Sequence, residues 1–521
     1  MTPYLLGIDV GTYESKGALV TVGGEVIASA SIGHELSMPR LGWFEHDAES
    51  VWWHDFVVLC RQLLGQGGVQ AGEVAGVGCS AIAPCVLPVD RLGHPLRPAI
   101  LYGIDTRAAD EVAYLERELG VEAIFAHSAL RLSSQAAGPK ILWLRRHEPE
   151  VWARTATILT GSGYLALKLT GERVIDVYTA TAYAPLLDLR TGAWSAAMAE
   201  PITPLERLPR LGWSGEVVGG VTPQAAEATG LAVGTPVVAG TADAASEALS
   251  AGMAESGDMM IMYGSSIFFI QKTGRLAPSD RLWAALFLEP NTYAVAAGMS
   301  AGGALTRWFR DQLSPQEVSA ERAGGLPAYT ALAELAAASP PGARGLVALP
   351  YFAGERTPIH DPLARGMFAG LTLTHTRADL YRALLEGVGY GIRHNLAAYQ
   401  EAGLPPRRVL AVGGGTRNPL WLQIVSDITG LEQFVPQRQL GACYGDAFLA
   451  GIGAGLFTST SQITGWVRYR ETVRPNAALR PLYDELYAIY RQLYEGTAEA
   501  IHRLARLAPL GVPACGVAPG G

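Results

Sequence analysis

Four glycine turns, two of them carrying an aspartate, are spread from one end of the chain to the other. They are Asp9-Val10-Gly11-Thr12, Gly240-Thr241-Ala242-Asp243, Tyr263-Gly264-Ser265-Ser266 and Gly413-Gly414-Gly415-Thr416. Each follows an apolar run that reads as a buried strand. A strand that ends in Gly with Ser or Thr leaves backbone N–H groups aimed at open space, an arrangement that suits a phosphate. An aspartate at such a place suits a magnesium ion or the acceptance of a proton. Together the turns point to the transfer of a phosphoryl group.

Each turn also has a plainer reading. Asp9-Val10-Gly11-Thr12, with Lys16 close behind, offers a hydroxyl and N–H groups to phosphate oxygens, but these are equally the residues of an ordinary β-turn. Asp243 precedes Ala244-Ala245-Ser246, small residues that leave room for a ligand. It reads as a general base or as the N-cap of the next helix. An alcohol is a weak acid, so such a base takes the proton only as the new O–P bond forms, and positioning outweighs basicity. Gly264-Ser265-Ser266 is a second phosphate clasp or a hairpin turn. The three glycines before Thr416-Arg417-Asn418 permit close approach of a flat ring or a phosphate, or merely a tight strand–helix connection.

The elements that must hold these turns follow from hydrophobic periodicity. Residues 4–10, 15–22 and 25–31 read as a meander of strands, 47–65 as a helix and 74–82 as a strand. Residues 85–102 suggest a hairpin around Asp90-Arg91-Leu92-Gly93. Residues 139–169 read as mostly helical, with Trp143, Leu144, Trp152 and Leu165 in the core. Residues 235–242 form a strand that leads to Asp243, and 259–271 read strand, turn, strand. That last pattern mirrors residues 4–22 and suggests two related halves. Helix 376–400, strand 408–412, a helix at about 418–429 and a closing helical segment at 478–508 complete the pass. The division is 1–250 and 251–508, with a Pro- and Gly-rich tail at 509–521 expected to be disordered.

Composition narrows the function. A chain of 521 residues, 49% hydrophobic and with 61 glycines, suits two packed α/β domains. A net charge of −8 argues against nucleic acid as a partner, since phosphate backbones demand a basic face. Cys60, Cys79, Cys85, Cys443 and Cys515 make no Cys-x-x-Cys pair and are odd in number, which points to a reducing compartment. No basic leader and no run long enough to span a bilayer are evident. The expectation is a cytoplasmic protein with no membrane partner.

The combination of turns resembles the FGGY carbohydrate kinases over roughly residues 4–500. Supporting stretches occur in order: Gly42-Trp43-Phe44-Glu45-His46-Asp47, Leu101-Tyr102-Gly103-Ile104-Asp105-Thr106-Arg107, Pro139-Lys140-Ile141-Leu142-Trp143, Leu349-Pro350-Tyr351-Phe352-Ala353-Gly354-Glu355-Arg356, and Gly441-Ala442-Cys443-Tyr444-Gly445-Asp446-Ala447. The resemblance implies an α/β, two-domain, actin-like (ribonuclease H-like) ATPase fold with the active site in an interdomain cleft. It implies ATP and Mg2+, and phosphorylation of a sugar or polyol hydroxyl. By position, Asp9 and Asp243 would face the metal, and Asp243 would also be the catalytic base. Gly11, Thr12, Lys16, Gly264, Ser265, Gly303, Arg307, Gly414, Gly415 and Asn418 would meet the nucleotide. A homodimer is unsurprising for such a family.

The sugar side departs from the pattern. A xylulokinase-like Gln-Met-His run and the glycerol kinases' Arg-Glu pair are both missing, and Ser80-Ala81-Ile82-Ala83-Pro84 stands in that region. Tyr102 replaces the usual tryptophan. The expected substrate contacts are Ser80, Ala81, Tyr102, Asp105, Gln135 and Asp243, with a structural pair to Arg107 as the rival role of Asp105. The expected acceptor is a ketopentose such as xylulose. A tetritol, a hexulose or glycerol is the alternative within the class, and a non-sugar actin-fold ATPase or binding protein the alternative outside it.

Overall fold

The computed structural model describes residues 3–507, so the expectation for the tail at 509–521 lies outside the described residues. The chain forms two compact units. The first comprises the residues up to Ser256 together with Lys272–Val295 and Arg438–Arg468. The second comprises Gly257–Gln271, Ala296–Gln437 and the residues from Tyr469 onward.

The first unit is built on a sheet whose strands are β1 (Tyr4–Val10), β2 (Glu14–Thr21), β3 (Val26–Gly33), β4 (Val74–Ala81), β5 (Val217–Gly220), β6 (Pro236–Val238) and β7 (Thr241–Ala242). The order is β5-β6-β4-β1-β2-β3, with β7 also paired to β4. β1 and β2 are an antiparallel hairpin, while β4 lies parallel to β1. Strands at the centre are buried on both faces, which is why they read as continuous apolar runs. The expected helix at 47–65 starts with π-type turns over Ala48–Trp53, capped by Asp47 on the Ser50 N–H. It continues as α1 (His54–Gly67). Its apolar stripe of Phe56, Leu59, Cys60 and Leu63 packs with Trp52, Leu6, Ile8 and Val10 in the core.

Two expectations shift in detail. The turn at Asp90–Gly93 closes, with the Gly93 N–H donating to Asp90 O at 3.1 Å. However, Leu87–Val89 pairs with Thr157–Leu159, and Ala99–Ile100 pairs with Trp43–His46. The arms also pair with each other, through the bridges Val86–Ile100 and Val89–Pro95 and the Leu96 N–H on Pro88 O at 3.0 Å, so the expected hairpin is present and each arm gains a second partner. The segment 139–169 is helical over α2 (Ala137–His147), Pro149–Arg154 and Gly161–Thr170. The strand Thr157–Leu159 interrupts it. Trp143, Leu144 and Leu165 are buried as expected, whereas Trp152 is only partly covered.

Asp243 opens α3 (Asp243–Ser250). The main sheet of the second unit contains β8 (Asp258–Tyr263), β9 (Ile267–Thr273), β10 (Tyr293–Met299), β11 (Arg408–Val412), β12 (Gln433–Pro436) and β13 (Tyr469–Val473), in the order β10-β9-β8-β11-β12-β13, with Trp283–Leu286 paired at the β10 edge. β8 and β9 are an antiparallel hairpin, with β11 parallel to β8. This repeats the β1-β2 hairpin beside parallel β4, so the likeness of residues 4–22 and 259–271 is a likeness of topology. The helices α4 (Gly303–Leu313) and α5 (Pro419–Thr429) stay with this unit. The helix α6 (Ala442–Gly453) belongs to the first.

Candidate active site

Strand register assembles the acidic part of the site. Asp9 on β1 lies beside Ser80 on β4, and Ser80 lies beside Thr241 on β7. Asp243 follows two residues later, so it starts its helix next to the same strand tips. Asp9 is also opposite Lys16 on β2, which puts both side chains on one face of the hairpin. Lys16 pairs with Glu14 at 3.1 Å and stays half-exposed.

Beneath the strand tips lies α6. A side chain on Gly7 would come within 1.9 Å of Cys443 O, and one on Gly78 within 2.1 Å of Asp446 O, so only glycine lets the helix backbone rest on the sheet. The contact carries Asp446 under the site. Ser80 Oγ lies 3.0 Å from Asp9 Oδ1 and 2.7 Å from Asp446 Oδ2. Ser246 Oγ lies 2.7 Å from Asp446 Oδ1 and 2.9 Å from Ala442 O. A serine hydroxyl has one hydrogen to give, so at least one of the two carboxyls must hold a proton and return it to Ser80.

Electrostatics agree. Burial, then the charges of Asp243 and Asp446, hold the Asp9 carboxyl well above the usual carboxylate range. Burial raises Asp243 too, against a hydrogen bond from the Ala244 N–H to its Oδ1 at 2.7 Å. Asp446 is pushed up to about 8 by burial, opposed by its serine hydrogen bonds. Glu247, one turn beyond Asp243 on α3, is pushed up to about 7 by burial and by Asp243, with Lys16 opposing. Buried like charges that resist ionisation together are a site asking for a cation.

Among the described residues no three His, Cys, Asp or Glu side chains converge as a ready-made metal cage. Magnesium does not require one, because it is commonly held by one or two carboxylates with water and phosphate oxygens completing the shell. Asp243 is close enough to raise the proton affinity of Asp9, and the two are a donor set that fits this mode.

Around the expected sugar positions, Lys140 on α2 is the anchor. Its buried ammonium donates to Leu101 O, Tyr102 O and Ser134 O, each at 2.7 Å. Burial brings its pKa down to about 8, with Asp105 opposing. It ties the Tyr102 loop to the Gln135 loop. Gln135 covers Gly103 so closely that a Cβ there would sit 2.0 Å from the amide nitrogen. Tyr102 Oη lies 3.1 Å from Thr12 Oγ1, which joins this side of the site to the first glycine turn.

Two of the expected substrate contacts have side chains engaged within the protein, Asp105 and Ser80. Asp105 is fully buried, and its oxygens take the Phe44 N–H, the Arg107 N–H and the Arg107 guanidinium. Four donors use up the lone pairs of a carboxylate, so Asp105 takes the structural role paired with Arg107. Ser80 is fully buried between Asp9 and Asp446, and Ala81 is buried beside it. Tyr102, Gln135 and Asp243 keep groups for a ligand.

The second unit has its own constellation. Gly302 and Gly303 N–H groups donate to Ser265 O and Gly264 O at 2.8 Å, which seats the start of α4 on the Gly264-Ser265 turn. Arg307 is exposed one turn along α4, on the side of Gly303. Gly413 has φ +91°, and a Cβ on it would meet Tyr263 O at 2.9 Å. This brings the Gly414-Gly415 turn against the end of β8. Asn418 caps α5 by accepting the Trp421 N–H at 3.1 Å.

Sequence reasoning assigned no role to Asp446, Glu247 or Lys140. Glu247 had a local signal, since it stands four residues after Asp243 and so on the same helical face. Lys140 and Asp446 had none beyond their place in quoted motifs.

The family model for the FGGY carbohydrate kinases' N-terminal domain matches residues 4–250, and that for the C-terminal domain matches residues 259–454. A xylulose kinase of Escherichia coli is 30% identical over 494 residues, covering 94% of this chain and 98% of that protein. A gluconokinase of Bacillus subtilis is 26% identical, covering 96% and 98%. The crystal structure of a xylulose kinase from Rhodospirillum rubrum superposes with a TM-score of 0.89 at 34% identity, covering 96% of this chain and all of that one. No helix among the described residues is long and apolar enough to cross a membrane. The chain belongs to the FGGY family of carbohydrate kinases and is a sugar kinase, a phosphotransferase with an alcohol group as acceptor.

Proposed function

We propose that this kinase transfers the γ-phosphoryl group of ATP to a hydroxyl of a ketopentose such as xylulose, in the cytoplasm. The observation that carries the reading is the buried carboxylate group of Asp9, Asp243, Asp446 and Glu247 at adjoining strand and helix ends. The xylulose kinases among its relatives favour the substrate class.

Asp243 is the base. The sugar hydroxyl attacks phosphorus, its proton passes to the Asp243 carboxylate, and the bond to the ADP oxygen breaks. Tyr102 and Gln135 orient the sugar, held by Lys140. The Gly11 N–H closes the turn on Glu14 O at 3.1 Å, so the Thr12 N–H and N–H groups of Gly264-Ser265 face the phosphates, and Lys16 adds positive charge. Gly303, Arg307, Gly414, Gly415 and Asn418 line the nucleotide. Asp9 and Asp243 would hold magnesium through water, and the ion supplies charge neutralisation at the phosphates.

The test is ADP release with MgATP across ketopentoses, tetritols, hexuloses, gluconate and glycerol. One sugar should raise the rate by orders of magnitude, with glycerol inert. Turnover that no acceptor increases would overturn the reading.

A further inference from the structure

The first glycine turn is held by an unusual set of groups. Four successive carbonyls, Val10 to Tyr13, all accept hydrogen bonds from the protein. Val10 O takes the Ile82 N–H at 3.0 Å and Tyr13 O takes the His34 backbone N–H at 2.9 Å. Between them, Gly11 O lies 3.1 Å from His34 Nε2, and Thr12 O lies 3.2 Å from His46 Nε2. The two imidazoles meet edge to face with centroids 5.1 Å apart.

Both rings are themselves oriented. His34 Nδ1 lies 2.8 Å from Asp55 Oδ2, an oxygen that also accepts from Ser15 Oγ at 2.8 Å. The Trp52 indole N–H donates to His46 Nδ1 at 3.1 Å, so the hydrogen of a neutral His46 ring is on Nε2, facing Thr12 O. His46 and Asp55 are buried, and Trp52 is fully so.

A trans peptide points its carbonyl and the following N–H in opposite directions. Pinning Gly11 O on His34 therefore turns the Thr12 N–H outward, and pinning Thr12 O on His46 fixes the same residue from its other side. Among the described residues the Thr12 N–H meets no protein acceptor. A short hairpin closes from backbone bonds alone, and burying imidazoles and a carboxylate costs desolvation that an apolar core would avoid. The polar brace buys orientation that the hairpin does not need for its own closure. We infer that His34 and His46 are positioning residues that hold Thr12 from both sides and aim its N–H at the transferred phosphate. The inference rests on the kinase reading above and names two residues that the reading does not use.

The test is the pair His46→Gln and His46→Asn. The Gln amide nitrogen reaches the place of Nε2 and can still donate to Thr12 O, whereas that of Asn falls short. Wild-type turnover with xylulose or another acceptor is measured first, and its absence counts against the kinase reading alone. Given turnover, His46→Asn should lower kcat/KM for ATP at least tenfold with sugar KM within twofold. His46→Gln should stay within threefold, both variants melting close to wild type. Equal behaviour of the two folded variants, or a sugar KM that moves as much as that for ATP, overturns the inference. If no acceptor is found, the same contrast is read in the MgATP dissociation constant by calorimetry. Asn should weaken it at least fivefold and Gln less than twofold, and equal values overturn the inference.

Discussion

The two glycine hairpins share a topology and differ in what holds them. The β1-β2 turn sits among Asp9, Asp243, Asp446 and Glu247 and hangs from His34 and His46. Among the described residues the β8-β9 turn is tied by backbone, through the Gly302, Gly303 and Ala304 N–H groups on Gly264 O and Ser265 O. Side chains supply charge, proton affinity and adjustable aim at one turn, and close backbone packing supplies shape at the other. The first should therefore fail by loss of a functional group and the second by addition of an atom.

The sharpest way to separate them is Asp243→Asn. The variant removes the proton acceptor and keeps the shape, so kcat should fall by roughly three orders of magnitude or more. The KM for ATP should stay within a few-fold, because the Asn amide keeps an oxygen for a magnesium-bound water and the N–H groups at the phosphates are unchanged. Ser265→Ala at the second turn should cost less than tenfold by the same steady-state assay. Sugar-dependent turnover above one per cent in the Asn variant would remove Asp243 from the role of base and flatten the contrast between the turns.

Asp446→Asn extends the comparison to stability. The Asp446 carboxyl binds its proton near pH 8 when folded, against about 3.9 in an unfolded chain. Its folded value is raised, so its stabilising contribution is complete below the unfolded value and is lost as pH rises through the folded one. At pH 7 the native state therefore carries a penalty of roughly 2 kcal/mol or more that a neutral amide avoids. Denaturant titration should find the Asn variant more stable than wild type, increasingly so from pH 6 to 8. It should also be less active, since the pair with Ser80 and Asp9 is altered. A variant less stable at pH 8 would mean that the carboxyl is ionised and well paired.

The glycine turns were legible because their signals are local. An apolar run, a glycine and a hydroxyl stand within a few residues, and periodicity marks the strand before and the helix after. Asp446 was not legible as part of the site, because it reaches Ser80 across 366 residues of sequence through a helix crossing that two glycines allow. His46 stood only as a member of the Gly42–Asp47 stretch, with no role of its own. Its burial against Trp52 and Thr12 O depends on how a separate strand folds back. Asp105 was open between two roles, and counting four donors on its two oxygens decides for the pair with Arg107. The returns of Lys272–Val295 and Arg438–Arg468 to the first unit likewise leave no mark on local composition.

The brace on the first turn should also show in acid. Burial, then the neighbouring His34, brings the His46 pKa down to about 4, against roughly 6.5 unfolded. A depressed value means that its contribution is full above the unfolded pKa and is lost as pH falls toward the folded one. Between pH 7 and pH 5 the loss is on the order of 2 kcal/mol. His46→Gln lacks that titration, so its melting temperature, close to that of wild type at pH 7, should rise above it as pH falls to 5. Parallel curves would show that His46 is not held neutral.

Gly303→Ala probes the backbone-held turn and is the smallest expected effect. A Cβ at Gly303 would lie 2.7 Å from Gly264 O, closer than real side chains come, with backbone rather than a flexible side-chain end on the far side. The turn must give way, at a cost of about 1–3 kcal/mol if the strain is shared. The KM for ATP should rise roughly tenfold while the sugar KM and the pH profile stay those of wild type. Gly414→Ala is the internal control, because a Cβ there meets nothing within 4 Å in the protein. Its stability should match wild type, so any rise in its KM reports the nucleotide itself. If Gly303→Ala instead shifts the pH profile, the two turns are coupled, and the division between a side-chain-held and a backbone-held hairpin does not stand.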